Sequence, residues 1–139
     1  MRKIAWIEDE ADAISSLVRL LELNNYEVAR YRTREDVDEK IGEIILADAI
    51  ILDLVLPPAT EEEPYQGISI LKQLRQIYHY INPVVVCSVV RTPDIIATLT
   101  DMDVSAILHK PIRPSVLFEV VGRLVLQNSG EKEIDDGTI

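Results

Sequence analysis

Two short runs constrain this chain more than any other feature. Ala49-Ile50-Ile51-Leu52 and Val84-Val85-Val86 are apolar at every position. A strand with one wet face alternates polar and apolar residues. A strand that is apolar throughout is covered on both faces, the habit of a parallel sheet wrapped in helices. The rest of the chain supplies the wrapping. Ile14, Leu17, Val18 and Leu21 recur at helical spacing, and Asn24-Asn25 ends that stretch. Arg34 to Ile45 predicts a polar helix with Val37, Ile41, Ile44 and Ile45 inward. Gly67 opens another, with Ile70, Leu71, Leu74 and Ile77 on its buried side. Pro93-Asp94 starts a short helix to about Thr100, and Pro114-Ser115 starts a last one carrying Leu117, Val120, Val121, Leu124 and Val125. Strand-like runs at Lys3 to Ile7, Glu27 to Tyr31 and Ser105 to Leu108 complete a βαβαβαβαβα alternation. That rhythm predicts an α/β fold, a parallel sheet of five strands with helices on both faces.

A length of 139 residues suits one domain with a real core. Residues 1–127 are expected to form it, with the polar stretch 128–139, which contains Gly130 and Gly137, as a flexible tail. The formal net charge of −10, with no basic cluster, repels phosphate backbones and argues against direct nucleic acid binding. No apolar run approaches the ~20 residues of a membrane-spanning helix, and the start lacks the long apolar stretch of a signal peptide. The single Cys87 forms no internal disulfide and suits a reducing compartment, so a cytoplasmic location is expected.

Chemistry gathers where the apolar runs end. Glu8 and Asp9 follow the first strand, Asp53 the third, Ser88 the fourth and Lys110-Pro111 the fifth. In a parallel α/β sheet these ends lie side by side on one edge, where ligands bind. Taken singly, each residue has an ordinary reading. Asp53 can cap the following loop, one of the acids from Glu8 to Asp12 can cap the first helix, Ser88 can close a local turn, and Lys110 can sit on the surface. Pro111 follows a bond that can adopt the cis form. Cys87 should face away from Ser88 as a small core residue. Taken together, four strand ends carry two or three carboxylates, a hydroxyl and an ammonium in one place. Adjacent carboxylates repel unless a hard cation joins them, and Mg²⁺ accepts just such oxygen ligands. A carboxylate beside Mg²⁺ and lysine can take up a phosphoryl group.

These residues resemble the receiver domain of a two-component response regulator. The likeness covers about residues 2–127 and rests on Glu8-Asp9, Asp53 with Leu54 and Pro57, Ser88, and Lys110-Pro111. It implies a flavodoxin-like, doubly wound sheet in the order 2-1-3-4-5, with the site at the switch point. It implies Asp53 as phosphoacceptor, and Mg²⁺ held by Asp9 directly, by Glu8 mainly through water, by Asp53 and by the Val55 carbonyl. Lys110 would pair with Asp53 at rest and with the phosphoryl group afterwards, while Ser88 would move toward a phosphoryl oxygen. The implied donor is a phosphohistidine on a sensor histidine kinase or a histidine phosphotransfer protein. Output would run through a further protein partner or a homodimer, by way of the last strand and helix. Such a domain acts on its own aspartate and is not a conventional enzyme. A Mg²⁺-dependent phosphatase of the haloacid dehalogenase type would need a second aspartate two residues after Asp53, where Val55 stands. A phosphorylation-independent interaction module with the same fold is the other alternative.

Two departures from the family pattern are legible. An aromatic residue usually stands three positions before the lysine, and here that place is Ile107. The glycine after the acceptor lies fourteen residues on, at Gly67, and the extra stretch Thr60-Glu61-Glu62-Glu63-Pro64-Tyr65 is expected to overhang the site, as a solvated insertion or a partner-specific lid. Val55 and Val90, two positions beyond Asp53 and Ser88, border the approach of a hydrolytic water in such domains, and two apolar side chains there predict a long-lived phosphoryl group.

Overall fold

The computed structural model describes residues 1–128, so the expected tail lies outside the described residues from position 129 onward. Its strands are β1 (Arg2–Ile7), β2 (Tyr26–Tyr31), β3 (Ala49–Leu52), β4 (Val84–Ser88) and β5 (Ala106–His109). Its helices are α1 (Ala11–Leu23), α2 (Arg34–Glu39), α3 (Ile41–Ile44), α4 (Gln66–Lys72), α5 (Pro93–Asp101) and α6 (Pro114–Asn128). The strands form one parallel sheet in the order β2-β1-β3-β4-β5.

Both faces of the sheet are packed. Ala5, Ile7, Ile50, Leu52, Val84 and Val86 point one way and meet Val37, Ile44, Ile70, Leu71, Leu74 and Leu99 from α2 to α5. Ile4, Trp6, Ala49, Ile51, Val85 and Cys87 point the other way and meet α1 and α6 through Ile14, Leu17, Val18, Leu21, Leu117, Val121 and Val125. Period-two alternation of Cβ direction splits each apolar run between two cores. This is why β3 and β4 carry no polar residue until the site. Each fully buried Leu or Ile contributes about 1.5–3 kcal/mol relative to exposure.

Three expectations need correction. The helix expected over Arg34 to Ile45 is broken at Lys40, whose backbone leaves helical geometry at φ −112° and ψ 19°. The apolar stripe survives the break, because Val37 and Ile44 are both buried and Ile41 and Ile45 pack beside them. The helix opened by Gln66 and Gly67 ends in a π-turn at Gln73–Ile77, where the Tyr78 N–H donates to the Gln73 carbonyl at 3.0 Å. The extra residue in that turn keeps Leu74 buried but turns Ile77 outward, leaving it 62% exposed. No acid side chain caps α1: Glu10 holds the cap position with its backbone alone. The turn after α1 does fall where expected, with Asn25 in the left-handed region at φ 70°.

Candidate functional site

Register brings the site together. Ile7 pairs with Leu52, Leu52 with Val86, and Ser88 with His109, so the strands end nearly level on one edge. Glu8, Asp53 and Lys110 each follow immediately after a strand, and Ser88 is the last residue of one. The Asp53 N–H still donates to the Ile7 carbonyl at 3.0 Å, continuing the β1–β3 ladder one step into the site.

Carboxylate oxygens of Glu8, Asp9 and Asp53 lie within 4.8 Å of one another. Glu8 and Asp53 are 2% and 6% exposed, whereas Asp9 is half-buried. The Lys110 ammonium sits between the two buried acids, 2.6 Å from Glu8 Oε1 and 3.0 Å from Asp53 Oδ2. Burial pushes the Glu8 carboxyl up to about 7; the Lys110 hydrogen bond opposes that rise and the Asp53 charge adds to it. Burial alone would lower Lys110, but the hydrogen bonds to Glu8 and Asp53 outweigh it and hold the lysine above its usual value. Three all-oxygen ligands in a crowded, partly desolvated group fit a hard cation such as Mg²⁺. The contact between Lys110 and Glu8 has no sequence signal, since 102 residues separate them.

The remaining expected residues stand around this group. The Val55 N–H points back to Asp53 Oδ1 at 3.4 Å, and the Val55 side chain is 38% exposed. Ser88 is buried, and its hydroxyl accepts from the Val90 N–H at 3.1 Å, so it closes a local turn in this state. The Lys110–Pro111 bond is cis. Cys87 is in the α1–α6 core as expected, and burial pushes its thiol up to about 12. Ile107 is half-buried and packs against the other core, as do Val90 and Ile95.

Gly67 is required by close approach. A Cβ there would run into the Asp53 carbonyl oxygen and lie 2.6 Å from Leu54 Cα. Sequence reading missed the residue beside it. Gln66 is buried, donates to the Pro58 carbonyl at 3.0 Å and to Glu63 Oε1 at 3.1 Å, and accepts from Arg34 Nη1 at 2.9 Å. The inserted stretch is thereby tied sideways to α2, with Gln66 as the joint. The polar residue at the mouth of an otherwise apolar helix was the available signal.

A search among curated proteins found no match. The model of the response regulator receiver domain matches residues 4–122. This chain belongs to that family. Solved structures share its fold. A CheY-like response regulator receiver domain protein from Methanospirillum hungatei superposes with a TM-score of 0.80 at 19% identity, covering 96% of this chain and 98% of its own. A two-component response regulator from Clostridium difficile gives 0.77 at 21% identity, covering 93% and 100%. The helices on both faces of a parallel sheet are those expected from the apolar runs, and the strand order is the one the family resemblance implies. Among the described residues, no helix is long and apolar enough to cross a membrane.

Proposed function

We propose that this receiver domain accepts a phosphoryl group on Asp53, with Mg²⁺ held by Glu8, Asp9, Asp53 and the Val55 carbonyl, and passes the change to a protein partner. The observation that carries this reading is the buried Asp53 carboxylate, held 3.0 Å from Lys110 and within 4.8 Å of Glu8 and Asp9. An Asp53 oxygen attacks the phosphorus of a phosphohistidine on a sensor kinase or phosphotransfer protein. The P–N bond breaks and the imidazole leaves. Bound Mg²⁺ supplies positive charge to the equatorial oxygens during transfer. Lys110 contributes the second positive charge from the protein itself and moves its contact from Asp53 to the new phosphoryl group. Ser88 exchanges its bond to the Val90 N–H for one to a phosphoryl oxygen, carrying the loop after β4 with it. Val55 and Val90 offer no polar group to an attacking water, so the phosphoryl group is long-lived. The work is done in the cytoplasm, and the readout is a protein partner or a homodimer.

Incubation with Mg²⁺ and acetyl phosphate tests this. The intact mass should rise by one phosphoryl group, Asp53→Asn should abolish the rise, and the adduct should persist for hours after the donor is removed. Decay within a minute would contradict the shielding by Val55 and Val90. A second reading is favoured by one observation: Ile107 replaces the aromatic residue expected there and is already half-buried against the core. On that reading the domain is a phosphorylation-independent interaction module, and no adduct forms at any donor concentration.

A further inference from the structure

β2 ends at Tyr31, and the next residue, Arg32, reaches back across the mouth of the site. Its Nη2 donates to the carbonyl oxygen of Asp9 at 3.4 Å. Arg30, one turn of the pleat earlier, donates from Nη1 to the Ala11 carbonyl at 3.5 Å. Exposed Arg30 of the edge strand and exposed Arg32 just beyond it therefore grip the backbone of the β1–α1 loop, which carries Glu8, Asp9 and Glu10, and of the first residue of α1. Among the described residues neither arginine enters an ion pair. A cavity of about 550 Å³ opens between Arg32 and the acids, lined by both Arg32 and Asp9. Arg32 thus bonds to a peptide oxygen although carboxylates are at hand. That leaves the Asp9 carboxylate to the cluster with Glu8 and Asp53, and among the described residues it leaves the guanidinium outside any ion pair, facing the cavity it shares with Asp9, Glu10 and Asp12.

We propose that Arg32 is a charge brake on the divalent cation site, a positioning residue whose positive charge weakens the hold of Glu8, Asp9 and Asp53 on Mg²⁺. This rests on the Mg²⁺ reading given above. The cluster brings three carboxylates against one lysine, and that excess would bind a divalent ion tightly. A fixed positive charge at the rim opposes the ion across a partly solvated gap, and the repulsion weakens as salt screens it. Lys110 opposes the ion as well, but it is built into the cluster between Glu8 and Asp53, whereas Arg32 stands outside it.

Isothermal titration of the full chain with MgCl₂, at low salt and again in high NaCl, tests the brake. Arg32→Gln should bind Mg²⁺ roughly three- to tenfold more tightly than the wild type at low salt, with the gap narrowing at high salt. Arg32→Lys keeps the charge and should stay within about twofold of the wild type. Equal or weaker binding by Arg32→Gln, or equal tightening by both variants, would overturn the brake while leaving the cation site standing. A wild type that takes up no Mg²⁺ at either salt overturns both the brake and the metal reading. Thermal melts of each variant without Mg²⁺ should coincide with the wild type, since Arg32 is exposed; a large drop in melting temperature would mark Arg32 as structural and overturn the brake.

Discussion

Glu8 decides how the site responds to pH. It is nearly inaccessible, 2.6 Å from Lys110, and its carboxyl is pushed from 4.5 up to about 7 by burial. A raised acid binds a proton more readily folded than unfolded. Its contribution to stability is therefore complete below 4.5 and is lost as pH rises through about 7. The whole loss is on the order of 3 kcal/mol. Cation binding runs the opposite way, because Mg²⁺ requires the ionised carboxylate. Mg²⁺ affinity should rise from pH 5.5 to 8 and level off above about 7, with proton release on binding near pH 6.5. Titrations in two buffers of different ionisation heat measure that release. Glu8→Gln should abolish it and flatten the pH dependence; an unchanged profile in this variant would assign the titration elsewhere. On the proposed reading Asp53 and Lys110 set the chemistry, and Glu8 sets the window in which the metal enters.

At the scale of elements, the third strand and fourth helix are locked together by one glycine. Gly67 approaches the Asp53–Leu54 backbone too closely for any side chain, and its N–H donates to the Leu54 carbonyl at 2.9 Å. Neither obstacle is a flexible side chain that could swing aside. Gly67→Ala should lower stability by about 1–3 kcal/mol and displace Asp53, since overpacked sites relieve strain by backbone shifts. Chemical denaturation measures the first effect and the acetyl phosphate mass shift the second. A fully stable variant phosphorylated at the wild-type rate would show that the approach is looser than described. The same elements show what was legible in the sequence. Ala49–Leu52 and Val84–Val86 announced strands buried on both faces, because burial on two sides removes the polar alternation. The parallel sheet with helices on both faces followed from them and from the alternation of the chain, and the strand order came only with the family resemblance carried by the residues at their ends. The break at Lys40 and the π-turn at Gln73–Ile77 were not legible, because the apolar spacing of the sequence runs on through both. Arg75 illustrates the rest. Its guanidinium, leaving the π-turn, bonds the carbonyls of Tyr80, Asn82 and Asp103, a set of partners that only the tertiary structure assembles.

Across the whole molecule, two cores hold a sheet whose ends bring like charges together. β1 and β3 are fixed by packing on both faces, so Glu8 and Asp53 cannot separate to relieve their repulsion. Lys110 offsets part of it, and the chain as a whole remains at −10. A cation bound among these acids must therefore stabilise the entire domain and not merely its loops, because folding alone creates the site. With Mg²⁺ at a hundred times its dissociation constant the folded state gains about 2.7 kcal/mol. For a domain of this length that raises the melting temperature by roughly 8 °C. Calorimetric scans with MgCl₂ against an equal ionic strength of NaCl separate binding from screening. Asp53→Ala should cut the Mg²⁺-dependent rise by more than half. It should also melt lower than the wild type without metal if the Lys110 pair matters more than the relieved repulsion, and higher if it does not. Burial favours the first outcome: with Asp53 gone, Lys110 keeps only Glu8 as its carboxylate partner, and a half-satisfied buried charge costs more than two acids held apart by an ammonium. A magnesium effect equal to that of sodium would remove the cation from the site and leave Lys110, among the described residues, as the one positive charge there for phosphoryl transfer.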